Sequence, residues 1–240
     1  DIGSANERIL ERGTHSESEV MLEHSRTGLI VDLHWQITVG FSRRAITAKW
    51  LFGRSQTMNL LGREVRVPGV EDRLLTSAVH ASRHHWQPLE QRLGMAIQVA
   101  RMPESDWSGL CRDAMRFGCL RRFLVGVVHS CAPFGVEPPH EVVERIERDC
   151  LAMRYLEYLR QESTDSLRGG MSLRRARWVG LVWRFLSEDN LVDAVDHAAI
   201  RVLMPGPEDW IALRLPPELD WGYWVVRPAR LVRKYSRIIA

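Results

Sequence analysis

Lysine and long apolar runs are scarce in this chain of 240 residues, which has only Lys49 and Lys234. The longest apolar run, residues 123–128, is far shorter than the roughly 20 residues that a membrane-spanning helix needs. A membrane is therefore not expected as a partner. The other basic residues are arginines, and because the net charge is only +3, composition does not indicate nucleic acid as a partner either.

Cysteine spacings typical of zinc or redox sites are also missing. The four cysteines stand at positions 111, 119, 131 and 150, a pattern that matches neither kind of site. Their helical, apolar surroundings predict buried free thiols in a reducing, cytoplasmic compartment. The chain has no glycine-rich phosphate loop, no Gly-x-Ser-x-Gly elbow and no cysteine in a basic neighbourhood, which argues against several common hydrolase chemistries.

Two kinds of periodicity divide the sequence. Alternating apolar and polar residues predict two strands at 18–24 and 29–38, and a hairpin over 56–67. Helical periodicity predicts helices at 4–12, 45–53, 70–86, 88–101, 104–116, 118–131, 138–162, 171–187 and 190–203. The fold class is therefore α+β, with a small, mostly antiparallel sheet at the N-terminus followed by a larger helical region.

The C-terminal tail is rich in proline and tryptophan and ends in a basic stretch. We expect it to wrap over the helical part and to end in a helix from about Pro228. The basic side chains of that helix are interpreted as a solvated face: Arg227, Arg230, Arg233, Lys234 and Arg237. The predicted division is a sheet region at 1–68, a helical domain at 69–204 and a tail at 205–240.

The clearest pattern is the alternation over residues 30–37, which is typical of a half-buried strand. Val31 and Leu33 would point towards a core, while Asp32 and His34 would share the opposite, open face. A carboxylate and an imidazole side by side on an open strand face are a candidate wall of an active site.

A second group of candidate residues is the run from His80 to Trp86. His80 and His84 are four residues apart, so on a helix they share one face. This spacing suits a metal, but the glutamate of a zinc-protease motif is absent and no third ligand is visible, so zinc is not expected. Binding of phosphate and packing against the sheet both stay open. Arg73 with His80 is also typical of some helical ribonucleases.

Three motifs together resemble an uncharacterised nucleotidyltransferase-like family found in bacteria. They are the strand over residues 31–35, the stretch from Val70 to Leu75 that leads into His80-x-x-x-His84-x-Trp86, and the tail segments at 215–219 and 227–231. The resemblance implies the DNA polymerase β-like nucleotidyltransferase superfamily, in which an Asp-x-Asp pair and a third carboxylate hold two Mg²⁺ ions. It implies transfer of a nucleotidyl group from an NTP to an unknown acceptor.

By position, Asp32 matches the third carboxylate, both as catalytic residue and as metal ligand. The resemblance then implies that three histidines, His34, His80 and His84, contact phosphate groups or hydrogen-bond to the metal ligands. The Asp-x-Asp pair does not occur in the chain, so we expect it to precede residue 1 and the N-terminal part of the catalytic sheet to be missing. Gly94 also stands where many relatives carry an aspartate.

One carboxylate cannot hold two divalent ions at useful affinity, so this chain is expected to be inactive by itself. Two alternatives follow from the residues. The first is a non-enzymatic binding module for a peptide, a protein or a nucleotide. The second is a metal-independent helical ribonuclease that uses Arg73 and His80.

Overall fold

The computed structural model describes residues 19–37, 44–102, 107–167, 180 and 182–239. The chain divides into two compact units. One, the hairpin–tail unit, combines residues 1–45 with 195–240, and the other, the helical unit, spans residues 46–194. The helix predicted at 4–12 lies outside the described residues.

The hairpin–tail unit begins with an antiparallel pair of strands, β1 (Glu19–Glu23) and β2 (Ile30–His34). The side chains of Val31 and Leu33 are 51% and 48% exposed, and Ile30 on the other face is 56% exposed. The predicted hairpin is therefore confirmed, but the prediction of a half-buried strand is wrong. A two-stranded sheet is too small to bury one face by itself.

The tail forms helices α8 (Leu191–Leu203), α9 (Pro207–Ala212) and α10 (Tyr223–Ile239), with a 3₁₀ segment at Pro217–Gly222. Its core consists of Trp210 and Tyr223, and Trp35 from the end of the hairpin packs against them. The Tyr223 hydroxyl donates to the Leu213 carbonyl at 2.8 Å and accepts the Leu215 N–H at 2.9 Å. The tail is thus tied to the chain segment that follows β2.

Ion pairs hold the tail together around Asp209, whose side chain is fully buried. Its carboxylate accepts the Gly206 N–H at 2.8 Å and contacts Arg227 at 2.8 Å and Arg230 at 2.6 Å. Only 16% and 21% of these two arginine side chains are exposed, so the interpretation as a solvated face is wrong for Arg227 and Arg230, whereas Arg233 is exposed. The last helix also begins at Tyr223, before Pro228, which lies inside it.

The helical unit opens with α1 (Ala48–Arg54) and a second antiparallel hairpin, β3 (Gln56–Leu60) and β4 (Arg63–Val67). This is the hairpin predicted over residues 56–67, and its turn is at Leu61 and Gly62. Six helices follow: α2 (Val70–Ser82), α3 (Leu89–Arg101), α4 (Trp107–Arg116), α5 (Leu120–Cys131), α6 (His140–Glu147) and α7 (Cys150–Leu167). Residues 182–186 are helical as well. The predicted α+β class is confirmed.

Helix α5 is the centre of this unit, because every residue from 123 to 131 is buried. It packs against α2, α3, α6 and α7. At its N-terminus the Asp189 carboxylate accepts the Leu120 and Arg121 N–H groups at 2.8 Å and 2.7 Å. A carboxylate is stabilising there because it satisfies free backbone donors and complements the helix dipole. Asp189 therefore anchors the segment that precedes α8 to the central helix.

Two further predictions need correction. The single helix expected at 138–162 is two helices, since Asp149 caps α7 by accepting the Leu151 and Ala152 N–H groups at 3.0 Å each. Of the four thiols, Cys150 is exposed, whereas the other three are buried as predicted. No helix in the described ranges is long and apolar enough to cross a bilayer.

Two helical glycines allow a matched stability test. A Cβ added at Gly126 on α5 would lie 2.7 Å from the Trp86 indole nitrogen, whereas a Cβ at Gly94 on α3 meets nothing within 4 Å. We expect Gly126→Ala to lower the free energy of unfolding by about 1–3 kcal/mol through overpacking. Gly94→Ala should raise it by roughly 0.5–1 kcal/mol, because alanine favours a helix. Urea unfolding of both variants measures this, and equal effects would contradict the close approach.

Candidate functional site

Asp32 and His34 lie on the same face of the β1–β2 hairpin. In the strand register, Met21 stands opposite Asp32 and Glu19 stands opposite His34. The His34 Nδ1 atom is 3.0 Å from a Glu19 carboxylate oxygen. This face therefore combines Asp32, His34 and Glu19, of which Glu19 was not recognised in the sequence. The signal for Glu19 was its place in the strand that pairs with residues 30–34.

A complete magnesium site is not found in the part of the chain that the structure describes. No group of three or more histidine, cysteine, aspartate or glutamate side chains is arranged there to hold a metal ion. Mg²⁺ needs several oxygen ligands in near-octahedral geometry, and Asp32 supplies one carboxylate. The described residues alone therefore do not fit the two-metal arrangement, and no catalytic step through a metal is derived from them.

The second candidate pair, His80 and His84, lies in the helical unit. The prediction of one helix through residue 86 is wrong, since α2 ends at Ser82 and residues 83–86 form tight turns. The two imidazole rings are nevertheless neighbours, with centroids 6.0 Å apart. His80 is half-buried and His84 is exposed. The structure thus brings this pair together, as the four-residue spacing predicts, by a different local conformation.

His85, which the sequence pattern did not single out, is the best anchored residue of this turn. Its Nδ1 atom lies 2.7 Å from the Tyr155 hydroxyl. Burial, together with the nearby Arg184 and His84, lowers the pKa of His85 to about 4. His85 and Trp86 both have positive φ angles, 52° and 51°, which side chains other than glycine rarely adopt. Backbone strain of this kind cannot be read from a helical periodicity.

The motif that begins α2 has a structural contact of its own. Asp72, 2% exposed, is reached by the Arg54 guanidinium at 3.1 Å, and the same guanidinium is 3.1 Å from Asp113. Burial raises the pKa of Asp72, although Arg54 opposes this shift. The Arg54 side chain also lies over the Trp50 ring, 4.7 Å from its centroid. These contacts tie α1 to α2 and α4, so Asp72 has a stabilising role.

Arg73 and His80 stand seven residues apart on α2, on the same side of the helix. Two helical turns correspond to about 10 Å along the axis, which is too far for direct contact of the two backbone positions. The ribonuclease interpretation stays an untested prediction. Asp32 with His34 belongs to the hairpin–tail unit, and His80 with His84 belongs to the helical unit.

Comparison with known proteins identifies the family. A family described as uncharacterised nucleotidyltransferase matches residues 1–135, more than half of the chain. The chain belongs to this family. The match confirms the resemblance drawn from the sequence motifs, and it includes Asp32, His34, His80 and His84. No curated protein and no solved structure matches the chain.

The matched segment of this nucleotidyltransferase family ends near the C-terminus of α5. The tail motifs at 215–219 and 227–231 therefore lie beyond it, whereas the first two motifs lie within it. Within the match, Gly94 faces open space on α3. A Cβ atom at this position would therefore meet no other atom within 4 Å.

Proposed function

We propose that the chain is a nucleotidyltransferase-like protein that binds a nucleoside triphosphate through the open face of the β1–β2 hairpin. The proposed reaction class is transfer of a nucleotidyl group to a hydroxyl or phosphate acceptor. The family match over residues 1–135 carries this proposal, since it contains a carboxylate on an exposed strand face. Asp32 is the proposed carboxylate ligand for a divalent ion, with Mg²⁺ the ion implied by the resemblance.

The histidines have supporting roles in this proposal. His34 lies two residues from Asp32 on the same face, and the carboxylate of Glu19 beside it limits the positions that its ring can take. His80 and His84 form a separate pair whose imidazoles can donate hydrogen bonds to phosphate oxygens. We assign His34 to contacts with phosphate groups or to support of the metal ligand on its own hairpin, and we assign His80 and His84 to contacts with phosphate groups in the helical unit.

Catalysis is not expected from these 240 residues alone, because they contain no Asp-x-Asp pair and the described residues provide no three-ligand metal site. We expect binding of an NTP in the presence of Mg²⁺ without release of pyrophosphate. Asp32→Ala should weaken that binding roughly tenfold, which corresponds to about 1.4 kcal/mol. Calorimetric titration with the four NTPs and an assay of pyrophosphate release measure the two expectations.

Glu23→Ala is the matched control, since Glu23 is an exposed carboxylate on the same face of the hairpin, opposite Ile30. It should leave the affinity for NTP unchanged. Pyrophosphate release that depends on Mg²⁺ and is lost in Asp32→Ala would show that the chain is a complete enzyme. Absence of nucleotide binding would instead support the second candidate, a binding module for a peptide or protein, which the lack of a three-ligand site in the described residues favours.

A further inference from the structure

A residue in the left-handed conformation follows α2, α4 and α5, but after α2 this residue is unusual. Gly118 follows α4 and Gly135 ends the 3₁₀ turn (Ala132–Phe134) after α5, with φ angles of 62° and 63°. In α2 the equivalent position is His85, with a φ angle of 52°. There the Trp86 N–H donates to the Ala81 carbonyl at 3.0 Å and the His85 N–H donates to the Ser82 carbonyl at 3.1 Å. This bond pair is the Schellman motif, which normally places glycine in the left-handed position.

A histidine in this position needs compensation, because a Cβ atom makes the left-handed conformation unfavourable. Tyr155 on α7 supplies one compensating contact through its hydroxyl, 2.7 Å from the His85 ring. The next residue, Trp86, is fully buried and lies against Gly126, where a Cβ would come within 2.7 Å of the indole. The strained turn is therefore held at both of its left-handed residues by contacts with other helices.

The His85–Tyr155 contact is made by two uncharged groups at neutral pH. Burial lowers the pKa of His85 to about 4, and burial raises the pKa of Tyr155 above its ordinary value. A neutral imidazole and a phenol can each donate or accept one hydrogen bond, so they form a complementary pair. Arg184 adds a contact on the other side of the turn, where its guanidinium donates to the Arg83 carbonyl.

We infer that Tyr155 is a positioning residue for the His80–His84 pair. Its hydroxyl holds His85 in the left-handed cap, and this cap fixes where the preceding residue, His84, stands beside His80. Without the hydroxyl, the cap would open more often and His84 would no longer keep its 6.0 Å ring spacing to His80. Only the ligand-binding consequence of this inference depends on the proposed function, in which the histidine pair contacts phosphate.

The first test is Tyr155→Phe in the full chain, which removes the hydroxyl and keeps the ring that stacks on Trp183. Hydrogen exchange of the His85 and Trp86 amides should become about threefold to tenfold faster, as expected for loss of one hydrogen bond. The nuclear Overhauser effect between the His80 and His84 rings should weaken. Tyr158→Phe is the matched control, because Tyr158 stacks on the same tryptophan without contacting His85.

The second test uses inorganic phosphate as the probe, observed through the ring resonances of His84. Phosphate should shift these resonances in the wild type, and Tyr155→Phe should weaken the apparent affinity about threefold or more. Unchanged amide exchange and ring contacts in Tyr155→Phe would overturn the inference. No phosphate response in the wild type, together with faster exchange in Tyr155→Phe, would remove the phosphate role and leave the positioning role intact.

A rescue experiment separates positioning through His85 from a general effect on stability. Glycine favours the left-handed cap without help from Tyr155, so His85→Gly should keep the His80–His84 contact. In that background, Tyr155→Phe should have no further effect on the ring contact, and the double variant should resemble the wild type. An equal effect of Tyr155→Phe with and without His85→Gly would show that the tyrosine does not act through His85.

Discussion

Replacement of Asp209 by alanine should destabilise the hairpin–tail unit by about 3–5 kcal/mol, because it leaves the guanidinium groups of Arg227 and Arg230 without their buried partner. Burial alone would raise the pKa of Asp209, but the Gly206 N–H and the two arginines together lower it. The carboxylate therefore stays charged and keeps its contacts at neutral pH. Removal of this carboxylate therefore breaks the hydrogen bond from the Gly206 N–H and both ion pairs at once.

The loss should also be visible at the apolar cluster of the same unit. The cluster of buried apolar residues in the tail consists of Trp210 and Tyr223, with Trp35, Leu215 and Val226 partly buried around it. We expect the amide exchange of Trp210 and Tyr223 to approach the rate of an unfolded chain in Asp209→Ala. Hydrogen exchange followed by mass spectrometry resolves this unit separately from the helical unit.

Glu208→Ala is the matched control for this prediction. Glu208 contacts the same Arg230 side chain at 2.6 Å, but its own side chain is 64% exposed. An exposed ion pair contributes about 0–1 kcal/mol, so this variant should retain the exchange pattern of the wild type. If both variants lost amide protection equally, the contribution of Asp209 to the stability of the hairpin–tail unit would not come from its burial.

Acid should destabilise the helical unit as the pH falls below 6.5, because two of its histidines are buried in the uncharged form. Burial, together with the nearby charges of Arg92 and Arg160, lowers the pKa of His129 to about 3. His85 is lowered to about 4. Since both pKa values lie below the ordinary value of 6.5, the unfolded chain binds more protons than the folded protein between these limits. The stabilising contribution is complete above pH 6.5 and is lost as the pH falls towards 4 for His85 and towards 3 for His129.

The expected slope is about 1.4 kcal/mol per pH unit for each histidine in this range. Urea unfolding at pH 7 and pH 5 should therefore show a loss of a few kcal/mol. His129→Gln should reduce the slope, because His129 is only 4% exposed and its replacement cannot take up this proton. The control is His140→Gln, since the His140 side chain is 82% exposed. A slope that His129→Gln leaves unchanged would contradict the assignment.

The predicted helices agree best with the structure where apolar periodicity was strong. Helix α5 was predicted correctly because its residues from 123 to 131, apart from His129, are apolar or small, and all of them are buried. The break between α6 and α7 was missed because it depends on Asp149, whose carboxylate accepts two backbone N–H groups at the start of α7. Apolar periodicity does not show such a cap. The β1–β2 hairpin was predicted from alternation, but alternation cannot show whether an element covers its apolar face.

The candidate site was predictable as residue types and less so as geometry. Asp32 and His34 share a face because side chains alternate along a strand. The contact between His34 and Glu19 depends on strand register, that is, on which residues of β1 and β2 stand opposite each other. The sequence of one strand alone does not determine this register. His85 was overlooked because its importance comes from a left-handed backbone angle and from Tyr155, seventy residues later.

The packing of Trp35 against the tail means that the family segment and the folding unit do not coincide. A fragment cut after residue 135 would keep Asp32 but would lose Trp210 and Tyr223. These two residues pack against Trp35, which is only three residues after Asp32. The same cut would separate α5 from α7, which packs against it. Exchange of the family segment between homologous proteins should therefore succeed only when the C-terminal residues are exchanged with it. The segment that the family shares ends at residue 135, whereas the folded unit that contains Trp35 includes the C-terminal residues.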